Sequence, residues 1–279
     1  MPELPELEVI CEALQRRVAG QTIQAVKIIP PGGPIVVRDL TKRGFAAALT
    51  GAVLQQVARR GKFLIFSFQT EGTPLYLALN PKLTGRLQLA NPSEKLRAKT
   101  QVVFTLANGA QLRYLDQKQM GQLYLADDLA ALPEYTSLGP EALEISLAEF
   151  RERLKPFRGE IKGVLTRGEF VAGIGNAYAD EILWQARLHP YRKRTQLSPE
   201  QVEDLYVAMR VTLQAAIETI RKEMGEAIES EPRAFLSVHT KAGQPCPRCG
   251  TPISLVSANQ RITNFCRTCQ PGGLIKGMG

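Results

Sequence analysis

The cysteines constrain this chain more than any other feature. Four of its five cysteines stand as Cys246-Pro-Arg-Cys249 and Cys266-Arg-Thr-Cys269, a C-x2-C-x16-C-x2-C spacing. Each CxxC folds as a tight turn that aims two sulfurs at one point. Two such turns close a tetrahedral site with no position left open for a substrate. The spacing predicts one structural Zn2+. Two disulfides or four free thiols are the alternatives, and a reducing compartment favours the metal. Segments 252–256 and 259–265 read as hairpin strands between the ligand pairs, with Arg261 near the tip, either facing DNA or simply solvated. The fifth cysteine, Cys11, falls on the apolar stripe of a helix and reads as core.

Charge points the same way without deciding it. Lys and Arg number 35 against 27 Asp and Glu, a net charge of +8. That balance suits a phosphate-backbone binder, and equally a basic surface with no partner. No apolar run approaches the length of a bilayer span, and the first residues, Met-Pro-Glu-Leu-Pro-Glu, are acidic where an export signal is basic. The expectation is a soluble, cytoplasmic protein with no membrane association.

Periodicity divides the chain into three. A first helix has Pro5 in its opening turn, Leu7, Ile10, Cys11, Leu14 and Val18 at helical spacing, and Gly20 as its stop. Segments 22–29, 53–59, 63–68, 75–79, 86–89, 101–106, 111–115 and 122–125 read as strands. A helix over 40–49 interrupts them. Arg60-Gly61 and Asn108-Gly109 read as hairpin turns, the second of type I′. After a turn-rich stretch the pattern is helical from about 140 to 229, and Ser198-Pro199-Glu200-Gln201 is a capping box opening a long helix. The predicted architecture is α+β: an antiparallel β-sandwich with flanking helices over 1–130, a helical domain over 131–236 and a zinc-ribbon β-hairpin module over 237–279.

Gly173-Ile-Gly175-Asn176-Ala-Tyr178 imitates a dinucleotide motif but puts Tyr178 at the third glycine position, among helices. It reads better as a glycine turn entering a helix capped by Asn176. The helix start can hold an anion such as a DNA phosphate, although an ordinary N-cap accounts for the same residues.

Pro-Glu-Leu-Pro-Glu at the start, Gly-Ile-Gly-Asn in the middle and the ribbon ending Cys-Arg-Thr-Cys-Gln together resemble the formamidopyrimidine-DNA glycosylase and endonuclease VIII family, from Met1 to Gln270. The resemblance implies a β-sandwich and a helix-two-turn-helix domain with a zinc finger flanking a DNA-binding cleft. It implies excision of oxidised or ring-opened bases followed by strand nicking, with damaged double-stranded DNA bound by a monomer. By the same resemblance Pro2 is the nucleophile, Glu3 the proton donor, Lys62 the hairpin lysine that assists elimination, Asn176 a phosphate ligand and Arg261 the finger arginine. The chemistry is coherent on its own terms. A terminal proline is a secondary amine, and terminal amines titrate near 8, so a usable fraction is neutral at cellular pH. Attack on the sugar C1′ gives an iminium that drives β- and then δ-elimination, and an adjacent acid can protonate the ring oxygen as the sugar opens. Glu6 reads as an exposed residue of the first helical turn, with a second polar group in the pocket as the alternative.

Other positions depart from the family. Its His-Leu-Gly-Met-Thr/Ser-Gly reads Asn80-Pro81-Lys82-Leu83-Thr84-Gly85, and its Asp-Pro-Arg-Arg-Phe-Gly reads Asp116-Gln117-Lys118-Gln119-Met120-Gly121. Leu83, Lys118 and Met120 therefore stand where the family places the side chains that fill the hole left by a flipped base. Leu and Met can still wedge between bases, whereas Lys stacks less well than Arg. Lys99-Thr100-Gln101 lacks the usual histidines, and the segment over 223–239 lacks the glycine-rich loop that closes over 8-oxoguanine. The reading is a glycosylase and β,δ-lyase with an altered substrate-reading set. The alternative is a non-catalytic damage-binding protein on the same scaffold.

Overall fold

Pro5 in the first turn and an apolar residue at each helical repeat produce α1 (Leu4–Val18). Leu7, Ile10, Leu14 and Val18 are all buried along it. Cys11 shares that face. Its thiol donates to the Val57 carbonyl at 3.4 Å, and burial, reinforced by the Glu8 charge, pushes its pKa up to about 11. It is therefore a packing residue, not a nucleophile. Residues 1–69, 72–258 and 261–272 are described by the structure, a computed structural model. They fall into two units, Met1–Ser137 with Ile220–Pro232, and Leu138–Thr219 with Arg233–Gly279.

The first unit holds α1, β1 (Ile23–Ile28), α2 (Gly33–Val36), β2 (Val37–Asp39), α3 (Phe45–Leu49), β3 (Val53–Arg60), β4 (Phe63–Gln69), β5 (Leu75–Asn80), β6 (Gly85–Ala90), β7 (Thr100–Leu106), β8 (Gln111–Asp116) and β9 (Gln122–Ala126). They form one sheet in the order β1-β7-β8-β6 and another in the order β2-β9-β5-β4-β3. Phe63 to Phe66 is continuously buried in β4, which lies between β3 and β5 with α1 packed on β3 and β4. A strand covered on both faces reads as an unbroken apolar run, not an alternating one.

Three local expectations need correction. The helix expected over 40–49 shortens to α3, because Asp39 accepts from the Thr41 and Gly44 N–H groups at 2.9 and 2.8 Å and Gly44 takes φ 86°. That turn displaces the first helical residues, and short β2 pairs with β9 in parallel, an exception within the otherwise antiparallel sheets. The β3–β4 turn is Gly61-Lys62, not Arg60-Gly61: Arg60 pairs with Phe63. Gly61 alone has positive φ (56°), as a type II′ turn requires. At Asn108-Gly109 only Gly109 has positive φ (84°), and its N–H bonds the Leu106 carbonyl at 2.9 Å. This is a type I turn followed by a left-handed glycine, where type I′ would need both residues at positive φ.

The second unit is helical: α4 (Leu147–Leu154), α5 (Ile161–Leu165), α6 (Asn176–Gln185) and α7 (Pro199–Met224), of which Ile220–Met224 belongs to the first unit. The Ser198 box opens α7 as expected. Ser198 N–H donates to Gln201 Oε1 at 3.1 Å, and Gln201 N–H to Ser198 Oγ at 3.3 Å. The hairpin β10 (Ser254–Ala258) and β11 (Arg261–Phe265) follows, starting two residues later than expected on both strands. Residue 259 lies outside the described residues.

The β5–β6 and β8–β9 connections of the first unit are joined through Asp116, which is fully buried. Its carboxylate accepts from the Thr84 hydroxyl, from the Lys118 and Gly121 N–H groups at 3.2 and 2.7 Å, and from the Tyr114 hydroxyl at 3.2 Å. Burial and the Asp116 charge raise the Tyr114 phenol well above its usual range, so it remains a donor. A Cβ on Gly121 would lie 1.8 Å from the Tyr114 oxygen, and one on Gly85 2.4 Å from it. Both glycines are thus required by close approach. Gly121→Ala should destabilise the protein by about 1–3 kcal/mol. In thermal unfolding, Tyr114→Phe in the same chain should recover part of that loss by removing the clashing oxygen, a coupling that independent sites would not show.

Candidate active site and zinc centre

Pro2 and Glu3 lie at the head of α1, both buried. Glu6 corrects the expectation of an exposed residue: it is 1% exposed, and its Oε2 accepts from the Glu3 N–H at 2.9 Å in a capping box. The Met1 ammonium, ahead of Pro2, is 3.0 Å from Glu231 Oε1. Two carboxylates in the first turn favour cationic nitrogen close by. Lys62 occupies the second position of the β3–β4 turn, where a two-residue loop presents it at the end of a rigid hairpin.

Leu83 and Met120 are 41% and 47% exposed, unusual for large apolar side chains on fixed loops. Lys118 is exposed between them in sequence, and its N–H also donates to Thr84 Oγ1 at 2.9 Å. The loops bearing these three residues share one anchor, Asp116, and Gln101 Nε2 donates to the Asp116 carbonyl at 2.9 Å. Sequence reading noted the Asp116 and Gly121 positions only as parts of a family motif. Their role as hub and close contact depends on partners such as Thr84, 32 residues away.

In the second unit Asn176 does not cap α6. Gly175 takes the extended cap conformation and Asn176 is the first helical residue. Its Nδ2 donates to the Ile262 carbonyl at 2.9 Å, while Oδ1 is buried with no hydrogen-bond partner among the described residues. A buried polar atom left over in this way is costly unless a ligand or water completes it. Beside it Lys162 Nζ reaches Asp180 Oδ1 at 2.7 Å, the Ile262 carbonyl at 2.9 Å and Thr263 Oγ1 at 2.8 Å. Asp180 Oδ2 also meets His239 Nδ1 at 2.9 Å. Glu181 accepts the N–H groups of Ser237, Val238 and His239 at 2.8 Å each. Sequence reading did not single out Lys162 of α5 or Asp180 and Glu181 of α6; the adjacent carboxylates in the otherwise apolar α6 segment were the available signal. Arg261 opens β11 opposite Ala258, and its side chain lies outside the described residues.

The four Sγ atoms of Cys246, Cys249, Cys266 and Cys269 lie within 4.8 Å of one another. Cys246 and Cys269 are 3.8 Å apart, Cys249 and Cys266 3.4 Å. A disulfide needs about 2.05 Å, whereas Zn–S bonds of about 2.3 Å in a tetrahedron put sulfurs about 3.8 Å apart. The donor set fits one structural Zn2+, with Cys246, Cys266, Val238 and Ile253 forming the small core around it. Trp184 Nε1 donates to Cys246 Sγ at 3.4 Å, and Arg248 Cζ lies 4.1 Å over the indole ring. Elemental analysis of reduced protein should find one zinc per chain, and Cys266→Ser should lose both metal and ribbon. Trp184→Phe should release zinc to a chelator about 10–100-fold more readily. Because Trp184 is the sole tryptophan, the emission of the unsubstituted protein should change as the metal leaves.

Comparison with known proteins agrees with this geometry. The Formamidopyrimidine-DNA glycosylase N-terminal domain family matches residues 1–123, the Formamidopyrimidine-DNA glycosylase H2TH domain residues 138–226, and the zinc finger found in FPG and IleRS residues 243–272. The chain is 38% identical to the formamidopyrimidine-DNA glycosylase of Symbiobacterium thermophilum, over 97% of this chain and 90% of that protein. It is similar to Lactococcus lactis Fpg in complex with abasic-site DNA, with a TM-score of 0.85 and 31% identity over 97% of this chain and 100% of that one. The same L. lactis enzyme with FAPY-dG DNA gives a TM-score of 0.84 at 31% identity, with the same coverage. This chain belongs to the formamidopyrimidine-DNA glycosylase family, with the family's C-terminal zinc finger.

Proposed function

We propose that Pro2 is the nucleophile of this glycosylase and lyase, with Glu3 as proton donor and Lys62 and Arg261 assisting elimination. The observation that carries the reading is the head of α1, where a proline adjoining a buried glutamate stands at the start of a capped, well-packed helix. Once Pro2 is the terminal residue, its lone pair attacks C1′ of the damaged nucleotide, the base departs protonated, and the resulting iminium withdraws electrons for β- and δ-elimination. Glu3 delivers a proton to the opening sugar. With Met1 attached, the proline nitrogen is a tertiary amide with no available lone pair, so removal of Met1 is a condition of activity. The catalytic β-sandwich domain is assigned to residues 1–130, the helix-two-turn-helix DNA-binding domain to 131–236 and the zinc-finger module to 237–279. Asn176, whose amide nitrogen has a second N–H beyond the one given to the Ile262 carbonyl, and Lys118 contact the backbone. The protein works as a cytoplasmic monomer on damaged duplex DNA, and none of its described helices is long and apolar enough to cross a membrane.

Leu83 and Met120 form a flexible apolar wedge in place of a stacking pair. Flipping costs a few kcal/mol and least where pairing is already damaged, so a weak wedge favours abasic sites, ring-opened purines and oxidised pyrimidines over 8-oxoguanine. The L. lactis relative, solved with abasic and FAPY-dG DNA, supports the abasic and ring-opened members of that range.

Borohydride should trap the chain on an abasic duplex. Pro2→Gly should weaken or reroute the adduct, since glycine still offers a primary amine, and one residue added before Pro2 should abolish it while DNA binding survives. A mature chain that retains Met1 and forms no adduct is a damage-binding protein instead. Lys118→Ala and Asn176→Ala should weaken DNA binding, each lowering the slope of log affinity against log salt if it neutralises or bonds phosphate. Parallel nicking assays should rank 8-oxoguanine opposite cytosine below the ring-opened and abasic substrates.

A further inference from the structure

Glu231 lies in the segment that follows α7 and packs in the first unit. Ion pairs fasten this segment along its length. Arg221 clasps Glu12 at 2.7 and 2.9 Å, Arg17 meets Glu226 at 3.0 Å, Arg97 meets Glu229 at 2.8 Å, and Arg86 of β6 meets Glu231. The last pairing engages Glu231 Oε2. The other, Oε1, is 3.0 Å from the ammonium that precedes Pro2, and the Glu231 side chain is 16% exposed, sheltered enough for its charge to be felt. Charged groups of the α1 start and of this segment include Glu3 and Glu6, Glu231, which meets that nitrogen, and Arg86, which pairs with Glu231.

We propose that Glu231 is a positioning residue for the nucleophile, the counter-ion of the N-terminal nitrogen throughout the reaction. The inference rests on the reading of Pro2 as nucleophile. Removing Met1 moves the terminus by one residue, about 3.3–3.6 Å of chain, within the swing of a glutamate or one bridging water. On an abasic site the secondary amine adds to the C1′ aldehyde carbon. The carbonyl oxygen then leaves as water, carrying the amine proton and one proton from solvent, and C1′ and nitrogen become the iminium. The nitrogen is cationic before the reaction as ammonium and after it as iminium. A fixed carboxylate stabilises both forms, raising the pH at which the amine becomes free and lengthening the life of the iminium. Arg86 tempers the effect by holding the other oxygen.

The test is borohydride trapping on a preformed abasic duplex across pH, with each chain shown by mass to begin at Pro2. Glu231→Gln should move the midpoint of the rising limb down by about half to one pH unit, as loss of a nearby opposite charge does, and lower the plateau several-fold. Arg86→Gln should move the midpoint the other way. An unmoved midpoint in both variants, whether trapping is normal or reduced equally at every pH, would assign Glu231 to structure alone and overturn the proposal. Should Glu231→Gln fail to fold, Arg86→Gln decides alone: an upward shift of the midpoint supports the proposal and an unmoved one overturns it. A wild-type chain that never cross-links overturns the nucleophile reading as well, and does so before any variant is made.

Discussion

The carboxylate of Asp116 has no access to water, and the β5–β6 and β8–β9 connections of the first unit hang on it. A buried charge is tolerated only when its lone pairs are filled. Here they are filled by Thr84 from one loop, by Lys118 and Gly121 from another and by Tyr114 between them. The same bonds that satisfy the charge fix both loops in one arrangement. Lys82 and Gln119 sit at positive φ, 48° and 54°, which ordinary side chains adopt only when surrounding contacts impose it. Leu83 and Met120 can therefore project as exposed apolar tips without collapsing onto the sheet.

The second unit solves a similar problem on α6. Asp180 and Glu181 are adjacent buried carboxylates. Asp180 is neutralised by Lys162, which is itself only 6% exposed. Glu181 is met by three backbone N–H groups, which counter the rise in its pKa that burial causes. From the other end of the helix Trp184 reaches Cys246 of the zinc site. Helix α6 and the ribbon are thus linked by polar bonds at both ends, Asn176 to β11 at one and Trp184 to Cys246 at the other, with Lys162 of α5 also bonding β11. The metal supplies rigidity to a module too small to hold itself together. The helix start at Asn176 inherits that rigidity.

Legibility tracked the range of the interactions involved. The heptad-like stripe of α1, the Ser198 capping box and the cysteine spacing each involve residues within one or two turns or a fixed loop length, and all three folded as expected. Errors arose where a short competitor intervened. The Asp39 side chain captured the N–H groups of residues 41 and 44 and shortened α3, and Gly61 rather than Arg60 took the left-handed turn position. Glu6 was misplaced for a different reason: its charge suggests solvent, but the Glu3 N–H offers it a bond inside the protein.

By itself the sequence determined the zinc ligands, the start of the first helix with Pro2 and Glu3, the alternation of strands and helices, and family membership, since each is encoded by local spacing or by motif order. Only the tertiary structure decided that Asp116 joins two loops, that Lys162 neutralises Asp180 and that Glu231 meets the nitrogen ahead of Pro2 across 230 positions. The physical reason is that a buried charge specifies the number of partners it needs but not where in the chain they are. Partner identity emerges only when packing removes water and leaves each carboxylate with the donors that folding has brought beside it.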